Sequence, residues 1–225
     1  MGILRLDLHV HSCHSPDSSL TVEAIVSQLA AVGLNGFALT DHNTVAGHAE
    51  LAAAQARTPG LLLVPGVEVS TIEGHLLAYG VAEVPPSQRP VVETIAWVRD
   101  HGGVSVLSHP FRLSHGVGRR VAESAPVDAV ETMNGHNSPR ANRKAAAVAA
   151  RRHLGVTGGS DVHRLEDLGH AFTEFPEGTA TADGALSALR EGRTSAGGRG
   201  LLLSEWLRYE GRTALLRLQR GFRPI

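Results

Sequence analysis

Histidine, aspartate and glutamate, the residue types that commonly bind metals, stand at the ends of several strand-like apolar segments of this sequence, and this restricts the folds open to it. Five such segments are residues 7–11 (DLHVH), 40–42 (TDH), 66–68 (GVE), 108–110 (SHP) and 159–163 (GSDVH). A sixth, residues 74–76 (GHL), has a histidine at the start of strand-like sequence. The fold should therefore be one that brings the ends of several strands together.

The strand-like segments alternate with helical patterns, and this order predicts an α/β fold. In residues 21–33, for example, Val22, Ile25 and Leu29 share one helix face before a glycine. Strand followed by helix, repeated along the chain, favours a parallel sheet with covering helices. In an α/β barrel the C-terminal ends of the strands meet on one face, so distant ligand residues would meet in space.

Local spacing supports a shared site. His9 and His11 are two residues apart, as are Asp161 and His163. Side chains two apart on a strand point the same way, so each pair can reach the same region. A lone histidine at a strand end is more often structural, but repetition at several strand ends reverses that expectation. The sequence therefore predicts a cluster of metal ions at one mouth of a barrel.

Composition excludes several other chemistries. Of the 21 basic residues only Lys144 is a lysine, so there is no GxxxxGK[ST] phosphate loop and no strand-end lysine for a Schiff base or carbamate. Cys13 is the single cysteine, which excludes an internal disulfide. The net charge of -1 predicts no extended nucleic-acid surface.

The sequence shows no linker or internal repeat, and we expect one domain over residues 1–225. Residues 198–220 could add a C-terminal hairpin, although the same residues could form a helix. No run of ~18 apolar residues could span a membrane, and no signal peptide is recognised. We therefore expect a cytoplasmic protein without a membrane partner, and the oligomeric state stays open.

Taken together, the motifs resemble those of the PHP (polymerase and histidinol phosphatase) family. The resemblance runs from about residue 3 to residue 195 and rests on segments 7–12, 15–18, 39–42, 65–68, 108–110 and 159–163. It implies a distorted (β/α)7 barrel with the metal site at the C-terminal ends of the strands. It also implies two or three divalent ions, which would be Zn, Mn or Fe.

By position, nine residues match the ligands of the family, in three groups, and one carboxylate bridges the first two groups. The groups are His9, His11, Glu68 and Asp161 for the first ion, Glu68, His75 and His109 for the second, and Asp17, His42 and His163 for the third. Some relatives have histidine where Asp17 stands, and relatives differ in where the histidine matching His75 falls.

The resemblance implies hydrolysis of phosphoesters by a metal-bridging hydroxide. Three dications would outweigh three carboxylates, so the site should attract phosphate and lower the pKa of bound water. Glu68 and Asp161 would act within this centre. Arg112 could hold a phosphate in a bidentate way, and His14 could protonate the leaving group or contact substrate. For both of these residues, a solvated loop position is the alternative.

The expected substrate is a small phosphorylated metabolite, a nucleotide or an oligonucleotide end. The short segment between His75 and His109 leaves no room for a separate cap domain, so we expect an open pocket. One alternative is hydrolysis of a non-phosphate ester, amide or carbamate on the same ions. A second alternative is a non-catalytic, polymerase-associated type of module, against which the full set of competent ligand residues argues.

Overall fold

The computed structural model describes residues 3–202 and Glu205. Among these residues nine strands form one sheet and six helices surround it. The strands are β1 Leu4–Val10, β2 Gly36–Leu39, β3 Leu62–Ser70, β4 His75–Tyr79, β5 Val104–Leu107, β6 Ala129–Asn134, β7 Gly155–Gly159, β8 Ala171–Phe175 and β9 Ser195–Gly198. The helices are α1 Val22–Gln28, α2 His48–Arg57, α3 Val91–Asp100, α4 Gly118–Ser124, α5 Pro139–Arg152 and α6 Ala182–Arg190.

The sheet has the order β7-β6-β5-β4-β3-β2-β1-β8-β9 and curves until it nearly closes. At the seam, the backbone N–H of His11 donates to the carbonyl of Val162 at 3.0 Å, and the N–H of Val162 donates to the carbonyl of His9 at 3.1 Å. These two bonds join the residues just after β7 to the end of β1. The mixed α/β architecture with a barrel-like sheet is therefore confirmed.

The strand count and directions differ from the expected sevenfold parallel repeat. Strands β1 to β3 are parallel, and so are β5 to β7, but β4 runs antiparallel to both of its neighbours. Only residues 71–74 connect β3 to β4, which is too short for the crossover that parallel strands need. Strands β8 and β9 are also antiparallel to their neighbours and extend the sheet beyond the seven expected strands.

Apolar side chains pack on both sides of the sheet. One buried cluster includes Leu8, Leu77 and Tyr79 and extends to Leu186 and Leu189 of α6. Helix α6 lies near the beginnings of the strands, since the Leu189 carbonyl packs against Gly155 at the start of β7. Two further clusters bury the inner faces of the other helices against the sheet. The mouth opposite α6 is left for polar groups.

Capping residues in the sequence fix the start of helix α5. Ser138 accepts a hydrogen bond from the N–H of Ala141, and Pro139 occupies the first turn of α5. The possible hairpin over residues 198–220 lies mostly outside the described residues, which after residue 202 include only Glu205. A single domain over residues 1–225 stays a prediction. Within the described part of the chain, no helix has the length and apolar character needed to cross a membrane.

Candidate metal centre

The predicted ligands gather at the mouth formed by the C-terminal ends of the parallel strands. His9 lies near the end of β1, Glu68 near the end of β3, and Asp161 just after β7. His75 is the first residue of β4. Because β4 runs antiparallel to β3, its beginning lies at the same mouth where the parallel strands end. A reversed strand thus contributes a side chain to the same site.

The first predicted group is buried and closely spaced. The Nε2 atom of His9 lies 3.2 Å from Glu68 Oε2 and 3.5 Å from Asp161 Oδ1. The Nε2 atom of His11 lies 3.3 Å and 3.4 Å from the same two oxygens. All four side chains are at most 2 % exposed. The two nitrogens make no hydrogen bond to any described residue.

This spacing suits an ion. In a tetrahedral site with bonds of about 2.1 Å, ligand atoms lie roughly 3.4 Å apart. The nitrogen-to-oxygen distances of the first group are 3.2–3.5 Å. Buried polar atoms are normally hydrogen-bonded, so two buried imidazole nitrogens aimed at carboxylate oxygens without such bonds need another partner. The residues present therefore fit a bound divalent cation.

The second predicted group meets at the other oxygen of Glu68. Its Oε1 atom lies 3.0 Å from His75 Nδ1 and 3.0 Å from His109 Nε2, and it accepts a hydrogen bond from the Ser108 hydroxyl at 2.8 Å. Glu68 thus presents one oxygen to each group, as a bridging carboxylate must. His42 also belongs near this group, because His42, Glu68 and His75 offer ligand atoms within 4.8 Å of one another.

The third predicted group surrounds Asp17. Its Oδ2 atom lies 3.0 Å from His163 Nε2 and 3.4 Å from His42 Nε2. His11 joins this group, since the four side chains offer ligand atoms within 4.8 Å of one another. Burial would raise the pKa of Asp17, but the hydrogen bonds and charges of the two imidazoles lower it well below its usual range.

The acids of the centre stay ionised despite their burial. Desolvation would raise the pKa of Glu68, yet the charges of His9, His75 and His42 hold it well below the usual range. Desolvation likewise opposes ionisation of Asp161, and the charges of His9 and Arg112 lower its pKa well below normal. Both carboxylates are therefore available as ligands without prior loss of a proton.

Arg112 is brought to the centre. One terminal nitrogen, Nη2, donates to Asp161 Oδ2 at 2.6 Å and to Asn134 Oδ1 at 2.8 Å, and Nε donates to Asn137 Oδ1 at 3.2 Å. Asp161 thus presents Oδ1 to the imidazoles and Oδ2 to the guanidinium. The cation is fixed beside the ligand group, whereas the sequence left a solvated loop position open.

His14 is not brought into the group. Its Nε2 atom lies 3.1 Å from Glu50 Oε1 on α2, and its backbone N–H donates to the Ser12 hydroxyl. The neighbouring loop residue Ser15 instead serves the centre. Its hydroxyl donates to Asp41 and lies 3.1 Å from His11 Nδ1. A role for His14 in protonating the leaving group stays a prediction.

Several residues near the centre were not found from the sequence. Glu131 of β6 is buried and contacts His9, and Asn134 at the end of the same strand contacts Arg112. The sequence signal for Glu131 was an acid inside the strand-like segment 127–133. Which residues it contacts depends on the order of the strands in the sheet, which the sequence does not give.

The comparison with protein families matches two stretches of the chain. Residues 7–117 match the PHP domain, and residues 139–194 match a domain described as PHP-associated. The first stretch contains seven of the nine predicted ligands, and the second contains Asp161 and His163.

Among curated relatives, an uncharacterized protein of Methanocaldococcus jannaschii is 28% identical over 145 residues, which cover 60% of this chain and 84% of that protein. A 3',5'-nucleoside bisphosphate phosphatase of Chromobacterium violaceum is 38% identical over 87 residues, or 37% of this chain and 30% of the enzyme. A 5'-3' exoribonuclease of Haemophilus influenzae is 33% identical over 108 residues, covering 45% and 38%. The match thus spans about a third of each of these two enzymes.

Solved structures share the fold at low sequence identity. PsfC from Pseudomonas syringae aligns with a TM-score of 0.70 at 18% identity, and the alignment covers 97% of this chain and 99% of PsfC. An amidohydrolase from Chromobacterium violaceum, solved with bound sulfate, aligns with a TM-score of 0.63 at 24% identity, covering 84% and 97%. These likenesses show the fold.

Proposed function

Since the chain belongs to the PHP domain family, we propose that it is a metal-dependent phosphoesterase whose ions are held at the mouth of the barrel. The observation that carries the proposal is the first ligand group. Two buried imidazole nitrogens lie 3.2–3.5 Å from two ionised carboxylates and lack hydrogen bonds among the described residues. Such an arrangement is costly unless a cation completes it.

Two or three ions are proposed, and they are Zn, Mn or Fe. The first would be held by His9, His11, Glu68 and Asp161, the second by Glu68, His75 and His109, and the third by Asp17, His42 and His163. Divalent ions bound there supply Lewis acidity, which polarises phosphoryl oxygens and brings the pKa of water toward neutrality. Mixed nitrogen and oxygen ligands are compatible with all three metals.

The side chains around the centre supply binding and orientation. Arg112 keeps a positive charge beside Asp161, where it would attract a phosphate oxygen. Asn134 and Asn137 are buried and hold the guanidinium in place. Because the guanidinium is already positioned, little side-chain entropy is lost when substrate binds.

The substrate class follows from an open mouth and from the named relatives. Between β4 and β5 the chain contains only residues 80–103, which include α3, so no separate domain covers the site there. The curated relatives include a nucleoside bisphosphate phosphatase, an exoribonuclease and a cyclic phosphate diphosphodiesterase of Eggerthella lenta. We therefore propose a small phosphorylated metabolite, a nucleotide or an oligonucleotide end as substrate.

The test joins metal analysis with a substrate panel. The purified protein is analysed for bound metals and assayed with aryl phosphates, nucleotides and short oligonucleotides in added Mn, with aryl carbamates as the comparison. We expect two or three ions per chain and turnover of phosphoesters. The variant His9→Ala should lose activity while it remains folded, and His101→Ala, at the exposed end of α3, should behave as wild type.

Three results would contradict the proposal. Turnover of carbamates without turnover of phosphoesters would indicate a different hydrolase on the same ligands. A protein that binds less than one ion and turns over nothing would indicate a non-catalytic module. Wild-type turnover by His9→Ala would remove the ligand group from the mechanism.

A further inference from the structure

Glu131 of β6 is a fully buried acid whose two carboxylate oxygens face two different predicted ion sites. Its Oε1 atom lies 2.9 Å from His9 Nδ1, a residue of the first group. Its Oε2 atom accepts the backbone N–H of His109, a residue of the second group, at 2.7 Å. The amide of Asn134 also donates to Oε2, at 2.9 Å.

The contact with His9 selects which ring nitrogen faces the centre. An ionised carboxylate only accepts hydrogen bonds, so the imidazole must carry its proton on Nδ1 to make this bond. In the neutral imidazole that a metal ligand must be, Nε2 then has a lone pair directed at Glu68 and Asp161. Carboxylate partners of this kind orient histidine ligands and raise their basicity.

The contact with His109 holds a backbone conformation that is unfavourable by itself. His109 has a φ angle of 27°, a positive value that non-glycine residues rarely adopt. Such conformations persist only where the surroundings fix them. The bond from the His109 N–H to Glu131 is charge-assisted, and the resulting turn places His109 Nε2 3.0 Å from Glu68 Oε1.

We propose that Glu131 is a positioning residue that sets ligands of the first and second ion sites together. This inference rests on the proposed metal centre and goes beyond it, because it makes the affinities of two sites depend on one buried acid that binds no ion. Both sites should weaken together when Glu131 is altered, although His9 lies on β1 and His109 lies in the loop after β5.

The substitution Glu131→Gln separates this role from simple packing. A glutamine amide has nearly the same shape but only one oxygen that accepts. That oxygen can serve the His109 N–H or the His9 Nδ1–H, and the NH₂ group must face the other. One contact is therefore lost, and the other loses the negative charge that strengthens it, so both ligands are held less firmly. If the NH₂ faces His9, the imidazole must move its proton to Nε2, where it blocks ion binding.

The matched control is Asp128→Asn. Asp128 precedes the same strand and accepts the backbone N–H of Ser105, a residue of β5, at 2.8 Å. It therefore makes the same kind of contact between the same two strands, at the end of the barrel away from the ligands. Its amide variant should keep wild-type ion binding.

The experiment is a titration of ion-free protein with Zn and with Mn, without substrate. We expect Glu131→Gln to bind the first two ions ~10–100-fold more weakly, the usual effect of losing such an outer partner, while Asp128→Asn is unchanged. Wild-type affinity in Glu131→Gln, or weakening at only one of the two sites, would overturn the inference.

A second measurement does not require a variant that folds. In the zinc-loaded wild-type protein labelled with ¹⁵N-histidine, the His9 proton should reside on Nδ1 and exchange slowly with solvent. Absence of an Nδ1 proton on His9 would overturn the inference. Because neither measurement uses a phosphoester, an inactive protein that still binds ions would refute the proposed function and leave the role of Glu131 intact.

Discussion

Gly159, the last residue of β7, offers a steric test of the seam that holds His9 in place. A methyl group added there would lie 2.4 Å from the His9 Cβ and 2.8 Å from the His9 backbone nitrogen. Ordinary contacts of a Cβ atom begin at 3.4 Å. Gly159→Ala must therefore separate β7 from β1 by about 1 Å at the position of a predicted ligand.

Two effects follow from this separation. Overpacking of a tight interior typically costs about 1–3 kcal/mol of unfolding free energy, and each kcal/mol lowers Tm by about 2–4 °C in a protein of this size. A ligand displaced by about 1 Å falls outside the ±0.2 Å tolerance of metal coordination. A misplacement of that size can lower turnover by roughly 10²-fold.

Two other glycine variants separate these effects. In Gly158→Ala the added methyl group would meet the Phe172 backbone on β8, 2.2 Å from its carbonyl oxygen, so Tm should fall without a direct push on His9. In Gly60→Ala the methyl group meets nothing within 4 Å, and neither property should change. Ion affinity, kcat/KM and Tm are measured for all three variants. Wild-type ion affinity in Gly159→Ala, or an equal loss in Gly158→Ala, would refute the account of the seam.

Three further outcomes are expected. Arg112→Lys should lower kcat/KM for phosphoesters roughly 10–150-fold, because one ammonium group cannot replace contacts to Asp161 and two asparagines. An unchanged kcat/KM would show that Arg112 does not take part in substrate binding. Tyr79→Phe leaves the Leu8 carbonyl without its hydrogen-bond donor at 2.7 Å and should lower the free energy of unfolding by about 1–3 kcal/mol in denaturant titrations, while ion affinity stays the same. Wild-type stability would show that this hydrogen bond contributes nothing. Removal of ions by a chelator should lower Tm reversibly, by an amount that corresponds to about 2.7 kcal/mol when the ion is at 100 times its Kd; a Tm independent of ion concentration would contradict binding to the folded state.

The gathering of the candidate ligands at one mouth could be predicted because its signals are local. His9 and His11 are two apart at the end of β1, and Asp161 and His163 have the same spacing after β7. The spacing of each pair indicates that its two side chains point to the same side of a strand, and the apolar residues before the pair indicate where the strand lies. The structure gathers all nine candidates at one mouth.

Strand direction was harder to predict from the pattern. Buried parallel and antiparallel strands both have continuous apolar sequence, so β4 carried no mark of its reversal. The short connection at residues 71–74 was the usable signal, since it cannot hold a crossover. The extra strands β8 and β9 likewise depend on long-range pairing.

Contacts made by loops and inner faces were also hidden. His14 lies between two candidate ligands in sequence, yet the loop directs its ring to Glu50 of α2. Glu131 is an acid in apolar sequence, but only the neighbouring strands β5 and β7 and the nearby end of β1 show which histidines it meets. The order of residues along the chain therefore predicts neither the loop contact of His14 nor the buried contacts of Glu131.

The most direct measurement is anomalous diffraction at the metal edge from crystals grown with Zn or Mn. We expect a strong peak within about 2.0–2.3 Å of ligand atoms of His9, His11, Glu68 and Asp161, with a second peak on the other side of the Glu68 carboxylate. An ion-saturated crystal without density between these four side chains would contradict the central claim.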